Sequence, residues 1–434
     1  MIYYNFSKKR YIINLKIISP KEGYIAKEVC VMWDSYFDMS GVSEIRLKTT
    51  VYLGPGAIEK IDFVVGELRK RGISQVLCVT GGRSYRLTGA WDYVEKACKK
   101  HGVGVTLYDK ITPNPTTVAI DEAAALGRKD KAGAVIGIGG GSPIDASKSS
   151  AILLAYPDKT AEDLYTFKFT PDHAVPIIAI NLTHGTGTEV DRFAVATIPH
   201  SNFKPAIGGE CLYPLYSIDD PALMTKLSPD QTRYVSIDAV NHVVEAATTV
   251  VANPVSIALG IETVRLVAEY LPRALANPED LKARYALLYA SMIAGTGFDN
   301  GLLHYTHALE HPLSGMKPEL AHGLGLAILL PAVIQECYPA RAKVLADLLA
   351  PIVPGLKGDP GEASAAARGV EKWLASVGVP QKLKDVGFTE ADIEPLCKLT
   401  LETPSLSGLL GCAPVPSSPE RIRAIYTNSL KPMA

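Results

Sequence analysis

The fold of the N-terminal half is decided by residues 132–145, Ala132-Gly-Ala-Val-Ile-Gly-Ile-Gly-Gly-Gly-Ser-Pro-Ile-Asp145. The first seven residues form a short apolar run, which is typical of a strand buried on both faces. Three glycines end that strand, and a helical pattern follows them. Glycines let backbone N–H groups approach a phosphate, and a helix N-terminus favours negative charge, so this turn predicts a phosphate site. A tight structural turn is the alternative, because the usual Gly-x-Gly-x-x-Gly fingerprint is absent.

Further strand-like segments surround this one at residues 45–53, 75–80, 103–108 and 174–180. Helical patterns separate them, and this alternation predicts a parallel sheet with right-handed crossovers. The segment at 174–180 leads into Thr183-His-Gly-Thr-Gly-Thr-Glu189, a second turn rich in glycine and hydroxyl groups. Open α/β sheets bind ligands at the carboxyl ends of their strands, so both turns are expected at one binding edge.

Strand-like patterns end near Asp220, and helical patterns follow from about residue 228 to the C-terminus. We therefore predict an α/β domain at residues 44–222 and an all-helical domain at residues 223–434. Residues 1–43 lack this regularity and are predicted to be an N-terminal extension, expected to be disordered.

Composition argues against several classes of protein. The formal net charge is −1 and 21% of residues are charged, which gives no indication of nucleic-acid or membrane binding. No apolar run approaches the roughly 18 residues that a membrane helix needs. Seven widely spaced cysteines without a Cys-x-x-Cys pair are typical of reduced thiols, so a cytoplasmic location is expected.

Histidines are concentrated in one stretch, since four of the nine lie between His304 and His322. His307 and His311 are four residues apart and share a helix face, which His304 joins. Pro312 is expected to end or bend this helix, after which His322 begins a second, apolar helix. Imidazoles from two successive helices that meet at one point can hold a metal ion, although hydrogen bonds to helix ends are the alternative.

Asp238 and His242 lie on the first long helix of the second domain, and their i, i+4 spacing lets both contact one ion. Alone, the pair is better explained by an aspartate near a helix N-terminus and a partly buried histidine. With His307 and His322 it makes one carboxylate and three imidazoles. This donor set suits Fe²⁺ or Zn²⁺ better than Ca²⁺ or Mg²⁺.

Four motifs in order, spread through residues 45–430, resemble those of the iron-dependent (group III) alcohol dehydrogenases. They are Gly-Gly-Gly-Ser-Pro-Ile-Asp at 139–145, Gly-Thr-Gly-Thr-Glu-Val at 185–190, Asp-x-x-x-His at 238–242, and His-x-x-x-His-Pro-Leu at 307–313 with His-Gly at 322–323. The resemblance implies a Rossmann-like nucleotide-binding domain plus an all-α domain, in a dehydroquinate synthase-like architecture. It also implies hydride transfer between a primary alcohol or its aldehyde and NAD(P), with Fe²⁺ polarising the substrate oxygen.

Carried over by position, the resemblance implies Fe²⁺, with Zn²⁺ as the alternative, held by Asp238, His242, His307 and His322. His311 matches a non-ligating histidine near the substrate and is the expected catalytic residue. His304 matches no family role and is expected to be structural. The implied cofactor contacts are Gly140, Gly141, Ser142, Asp145, Asn114, Thr183, Thr186 and Lys204.

This chain departs from the family pattern at three places. Leu182 and Asp191 stand where many members have threonines, and Ser314 replaces a frequent glycine after His-Pro-Leu. Spacing from His307 to His322 is also one residue longer than in some members.

Three other functions share features with this pattern. Glycerol dehydrogenase-like enzymes share this fold, and their metal sites resemble zinc sites with three ligands. The fourth candidate ligand, His242, argues against this function. A dehydroquinate synthase-like lyase needs several basic residues around a phosphate-bearing substrate, and residues 228–325 are poor in them. A non-catalytic nucleotide- or metal-binding protein does not explain a complete ligand set.

Selection between the two nicotinamide cofactors is predicted from the end of the 75–80 strand. Sites that choose NAD place a carboxylate here, whereas this chain has Gly81, Gly82, Arg83 and Ser84. The open space, the Ser84 hydroxyl and nearby arginines predict a preference for NADP(H) over NAD(H), with a plain turn as the alternative. The resemblance also implies a homodimer paired through the first strand, with a higher homo-oligomer as the alternative.

Overall fold

The structure is a computed structural model that describes residues 36, 37 and 41–433. Most of the predicted extension at 1–43 lies outside the described residues. Strands occur before Asp220, and beyond Pro229 the described chain contains only helices and their connections.

The predicted parallel sheet is confirmed. Strands are β1 (Thr50–Leu53), β2 (Gln75–Gly81), β3 (Gly104–Ile111), β4 (Ala134–Gly139), β5 (Ile177–Asn181), β6 (Phe193–Val195), β7 (Ala206–Gly208) and β8 (Tyr216–Asp219). Within the described chain, six of them form a parallel sheet in the order β1-β8-β5-β4-β2-β3, and β6 pairs with β7 in an antiparallel hairpin. β3 therefore lies on one side of β2 and β4 on the other, so the chain reverses its direction of progress across the sheet after β3. This change of direction opens a crevice at the carboxyl ends of β2 and β4.

Helices cover both faces of the sheet. They are α1 (Ile61–Lys70), α2 (Ser84–Leu87), α3 (Ala90–His101), α4 (Thr117–Lys129), α5 (Gly141–Ala155) and α6 (Ala161–Tyr165). Alternate β2 residues serve the two layers, because Val76 and Cys78 pack with α1 and α3 whereas Leu77 and Val79 pack with α4 and α5. Burial on both faces explains why β2 and β4 are continuous apolar runs.

The C-terminal half is a helical bundle. Its helices are α7 (Pro229–Ala246), α8 (Pro254–Ala276), α9 (Leu281–Gly301), α10 (Tyr305–Met316), α11 (His322–Cys337), α12 (Ala342–Leu349), α13 (Ala363–Ser376), α14 (Ile393–Glu402), α15 (Leu406–Gly411) and α16 (Pro419–Asn428). Ser228 and Asn253 cap α7 and α8 by accepting backbone N–H groups, and a proline follows each cap.

Among the described helices, one segment is long and apolar enough to cross a membrane by length and composition. It is His322–Ala340, which comprises α11 and the short turn after it, and 78% of its apolar 18-residue window is buried inside the protein. Its apolar residues belong to the core of the helical bundle.

Three details differ from the sequence predictions. β1 begins at Thr50 rather than residue 45, and β6, β7 and β8 carry patterns too short or too irregular to be predicted. Pro312 neither ends α10 nor sets its boundary, because the helix continues to Met316. The residues after Pro312 are buried against the core, and this packing outweighs the hydrogen bond that proline removes.

The two halves meet closely where two glycine backbones touch. Gly187, in the turn after β5, has φ +67°, and Gly295 lies opposite it on α9. A Cβ atom added to Gly295 would lie 2.6 Å from the Gly187 carbonyl oxygen and 2.7 Å from its Cα. Both neighbours are backbone atoms and cannot rotate away, so this contact sets the distance between the sheet edge and α9.

We predict opposite effects for two alanine substitutions on α9. Helix propensity alone favours alanine over glycine by about 1 kcal/mol. Gly295→Ala should nevertheless lower the free energy of unfolding by roughly 1–3 kcal/mol, because the methyl group overpacks the junction. Gly297→Ala is the matched control, since its added Cβ would come no closer than 3.8 Å to a neighbour. Urea unfolding measures both, and equal stabilisation of the two variants would contradict the contact.

Candidate functional site

A cavity of about 850 Å³ lies between the carboxyl edge of the sheet and the helical bundle. It brings together every candidate residue named from the sequence. From the α/β half these are Gly81, Gly82, Ser84, Asn114, Gly140, Gly141, Ser142, Asp145, Thr183, Thr186 and Lys204. From the helical half they are Asp238, His242, His307, His311 and His322. Their individual roles stay predictions.

The two glycine-rich turns pack against each other. A Cβ atom on Gly140 would lie 2.7 Å from Thr183 Oγ1, and one on Gly141 would lie 2.9 Å from Thr186 Cγ2. Among the described residues, the buried hydroxyls of Thr183 and Thr186 have no hydrogen-bond partner. Glycine is therefore required by packing, while two orphaned hydroxyls and the N-terminus of α5 suit an anionic, polar ligand.

Asp145 and Asn114, both predicted cofactor contacts, already make structural hydrogen bonds. Asp145 accepts from Thr188 Oγ1 at 2.6 Å and from the Val195 N–H at 3.0 Å. Burial raises the pKa of Asp145, although nearby lysines and these donors oppose it. Asn114 Nδ2 donates to the Pro318 carbonyl at 2.8 Å, across the junction of the two halves. Their side chains therefore shape the cavity wall.

The predicted metal ligands converge. Ligand atoms of Asp238, His307 and His322 lie within 4.8 Å of one another. His307 Nε2 is 3.7 Å and His242 Nε2 is 3.5 Å from Asp238 Oδ1. Asp238 Oδ1 and His307 Nε2 are buried, and neither has a hydrogen-bond partner in the described part of the chain. A buried carboxylate oxygen and a buried imidazole nitrogen that face each other in this way fit a divalent cation between them, and that cation would take the place of the proton on His307 Nε2.

Outer partners fix the other nitrogen of each imidazole. His307 Nδ1 contacts Glu245, His322 Nδ1 contacts Glu310, and His242 Nδ1 lies 3.2 Å from the carbonyl oxygen of Gly185. An Nδ1–H that donates outward leaves Nε2 as a free acceptor toward the centre, which is the tautomer that a metal requires.

Glu245 connects α7 to the start of α10. Its Oε1 accepts the backbone N–H groups of His304, Thr306 and His307, while Oε2 contacts the His307 ring. Burial alone would raise the pKa of Glu245, but His307 and these donors lower it to about 2. Likewise, burial opposes the charge on His307, yet Glu245 and Asp238 raise its pKa to about 9. This carboxylate therefore holds a ligand and its helix together.

Lys204 lies nearer the histidine cluster than the sequence indicated. Its Nζ is 3.3 Å from Glu310 Oε2 and 3.4 Å from His322 Nδ1. Glu310, His311 and His322 also have the proximity of a cation site, but the lysine ammonium carries the positive charge there. His311 Nδ1 is buried and has no partner among the described residues. Burial is the main cause that lowers the pKa of His311 well below 6.5, and the charge of Lys204 lowers it further.

Apolar side chains line the cavity next to His242, and we call this part its apolar end. Phe298 stacks on the His242 ring at 4.5 Å between centroids. Leu302 follows α9 with φ +61°, a backbone conformation that leucine rarely adopts. Strained conformations of this kind cluster at functional sites. Other side chains that line this cavity are Phe193, Leu303, Leu409 and Cys412.

Sequence reasoning missed Glu245 and Glu310, which the structure places behind the ligands. One signal was available: each is an acidic residue in an otherwise apolar helical stretch, three positions after His242 or His307. His304, which is expected to be structural, accepts the Tyr305 N–H at Nδ1 at 2.7 Å, and its Nε2 lies 2.9 Å from Thr248 Oγ1.

The positions that depart from the family pattern also have partners. Asp191 Oδ1 accepts from Lys148 Nζ at 2.8 Å and from the Phe193 N–H at 2.7 Å. Leu182 is buried in the sheet core. Ser314 donates to Glu310 Oε1.

Comparisons with known proteins agree with this geometry. Residues 48–221 match the family model for iron-containing alcohol dehydrogenase, and residues 232–430 match the C-terminal model of the Fe-containing alcohol dehydrogenase family. A long-chain primary alcohol dehydrogenase, AdhA of Thermoanaerobacter ethanolicus, is 58% identical over 92% of this chain and 100% of its own length.

Solved structures show the same architecture. An archaeal halo-thermophilic alcohol dehydrogenase from a Red Sea brine pool aligns with TM-score 0.83 and 28% identity, covering 90% of this chain and 100% of its own. NADH-dependent butanol dehydrogenase A of Thermotoga maritima aligns with TM-score 0.81 and 29% identity, covering 89% and 98%.

Two parallel-sheet turns facing a helical bundle with a carboxylate–imidazole centre define a two-domain, metal-dependent dehydrogenase. The chain belongs to the iron-containing alcohol dehydrogenase family. It is an oxidoreductase that interconverts alcohols and aldehydes with iron and a nicotinamide cofactor. The comparisons do not favour the glycerol dehydrogenase-like, lyase or non-catalytic alternatives.

Proposed function

We propose that Asp238, His242, His307 and His322 hold one Fe²⁺, with Zn²⁺ as the second choice, and that the cavity binds a primary alcohol or aldehyde with an apolar chain. The observation that carries this proposal is a pair of buried atoms, Asp238 Oδ1 and His307 Nε2, which face each other at 3.7 Å in the cavity and have no hydrogen-bond partner among the described residues.

The reaction needs little more from the chain than placement and a proton path. When bound, the metal polarises the substrate oxygen and the nicotinamide accepts or supplies the hydride. The glycine-rich turns hold the phosphates of the cofactor, and Thr183 and Thr186 offer hydroxyls beside them. His311, whose buried Nδ1 has no partner in the part of the chain that the structure describes, moves the proton between the substrate oxygen and solvent. Phe298 and Phe193 exclude water from the reacting groups.

The apolar end of the cavity favours a substrate with a hydrocarbon tail. Each buried methylene contributes about 0.8 kcal/mol of transfer free energy. The relative that is 58% identical is called a long-chain primary alcohol dehydrogenase, which supports the same assignment.

We expect turnover to depend on Fe²⁺ and on the ligand set. His242→Ala should lose the metal and lower kcat/KM by roughly two orders of magnitude or more, because one of four donors is gone. His200→Ala is the control, since this exposed histidine lies outside the cavity. Metal analysis and an anaerobic panel of ethanol through octanol and their aldehydes test both claims. Full occupancy in His242→Ala would contradict the ligand set, and kcat/KM that falls with chain length would contradict the substrate class.

A preference for NADP(H) over NAD(H) is our second proposal for this site. Gly82 and Ser84 are exposed at the cavity mouth. The nearest carboxylate in the adjoining strand, Asp109, accepts a hydrogen bond from the Tyr85 hydroxyl at 3.0 Å. Arg86 donates to the same hydroxyl at 2.9 Å, which leaves Arg83 as the cation for a 2′-phosphate. Butanol dehydrogenase A of Thermotoga maritima is called NADH-dependent, so the proposed NADP(H) preference rests on the loop of this chain and not on that relative.

Substitution at Gly82 tests this preference cleanly. A Cβ atom there would lie 3.8 Å from the Asp109 carbonyl oxygen, whereas one on Gly81 would lie 3.1 Å from the Ile111 carbonyl oxygen. Gly82→Asp should weaken kcat/KM with NADPH by an order of magnitude or more, about 1.4 kcal/mol, while NADH is less affected. Gly82→Ala controls for bulk. A wild-type enzyme that uses NADH better than NADPH would overturn the proposal.

We also propose a homodimer in the cytoplasm. β1 is an edge strand of the described sheet, and an edge strand is available to pair with that of a second subunit. Light scattering should give a particle of twice the 46.5 kDa chain mass, and a 46.5 kDa particle at working concentration would contradict the dimer.

A further inference from the structure

Of the four proposed ligands, His322 is the least confined. Its side chain is 29% exposed, whereas those of Asp238 and His307 are each 4% exposed. It is the first residue of α11, and the preceding residue gives no side-chain cap. An imidazole in this position needs another group to fix its orientation.

Glu310 supplies that group from inside the protein. Its side chain is fully buried, and both carboxylate oxygens have partners. Oε1 accepts from Ser314 one turn further along α10. Oε2 faces His322 Nδ1 and also lies 3.3 Å from Lys204 Nζ. Gly325 on α11 leaves the necessary space, because an added Cβ would lie 2.9 Å from Glu310 Cγ.

The charge balance shows why Lys204 accompanies Glu310. A buried carboxylate without a cation is strongly destabilising, and removal of one partner of a buried pair leaves an uncompensated charge. Lys204 is itself only 5% exposed and comes from the loop between β6 and β7. Ser314, which replaces a frequent glycine of the family, and Lys204 therefore both contact the carboxylate of Glu310.

We propose that Glu310 is a positioning residue that fixes His322 with Nε2 directed toward Asp238 and His307, and that Lys204 and Ser314 hold Glu310 in place. This inference rests on the proposed metal site. A carboxylate behind a ligating histidine sets both its tautomer and its orientation, and loss of such a partner typically weakens metal affinity by about 10–100-fold.

Metal titration of the full-length, metal-stripped protein tests the role of Glu310. Co²⁺ is added anaerobically to wild type, Glu310→Ala, Glu310→Gln, Ser314→Ala and His322→Ala, with affinity and the visible absorption spectrum as readouts. Glu371→Gln is the matched control, because Glu371 pairs with Lys382 in the same domain and outside the cavity. Thermal unfolding of each metal-free protein separates metal binding from folding.

We expect Glu310→Ala to bind Co²⁺ about 10–100-fold more weakly and to change its spectrum. Glu310→Gln should recover part of the affinity, because an amide oxygen still accepts from His322 Nδ1. Ser314→Ala should bind Co²⁺ more weakly than wild type by more than about twofold and less than about tenfold, and Glu371→Gln should match wild type. Glu310→Gln and Ser314→Ala decide the question if Glu310→Ala does not fold.

Two results would overturn the inference in distinguishable ways. If both Glu310 variants, or Glu310→Gln and Ser314→Ala, bind Co²⁺ within twofold of wild type with the same spectrum, Glu310 does not position His322 and the proposed metal site still stands. If the wild-type protein binds no Co²⁺, or if His322→Ala binds Co²⁺ as tightly as wild type does, the proposed metal site fails and the role of Glu310 fails with it.

Discussion

Contact between the buried Glu245 carboxylate and His307 is the interaction on which the site depends. Glu245 lies on the same face of α7 as Asp238, about two turns further along, where it contacts the His307 ring and accepts the first backbone N–H groups of α10. One side chain therefore sets where α10 begins, how it sits against α7, and which nitrogen of His307 faces the cavity. Without it, three helix N–H groups and an imidazole would be buried unpaired, at a cost of about 1–3 kcal/mol each.

The α/β half meets this centre through backbone rather than side chains. Gly187 touches Gly295, and the carbonyl of Gly185 receives His242 Nδ1, so the turn after β5 both closes the junction and orients a proposed ligand. The neighbouring turn after β4 packs its glycines against Thr183 and Thr186. A cofactor bound on these turns, as proposed, would be held near the imidazoles, as hydride transfer requires.

Much of this arrangement could be predicted from the sequence, because its signals are local. Continuous apolar runs predicted β2 and β4, and glycine-rich turns predicted a binding edge, which lines the cavity. Histidine spacing identified the ligand candidates, which all line the one cavity. Features that depend on tertiary contacts could not be predicted. Pro312 lies inside α10 because burial on both sides outweighs one lost hydrogen bond. The β6–β7 hairpin is short, and its buried residues Ala194 and Ile207 pack into the core formed with α4 and α5. Glu245 and Glu310 carry only a weak signal, an acidic residue three positions after a histidine, because the histidines that they contact lie on other helices.

The most direct test of the account is a crystal structure of the iron-loaded protein with anomalous scattering measured at the iron edge. The account predicts a single strong peak per subunit, bonded to one oxygen of Asp238 and to Nε2 of His242, His307 and His322, at distances of about 2.0–2.2 Å. A peak at Glu310 and His311, or one that lacks Asp238, would contradict it.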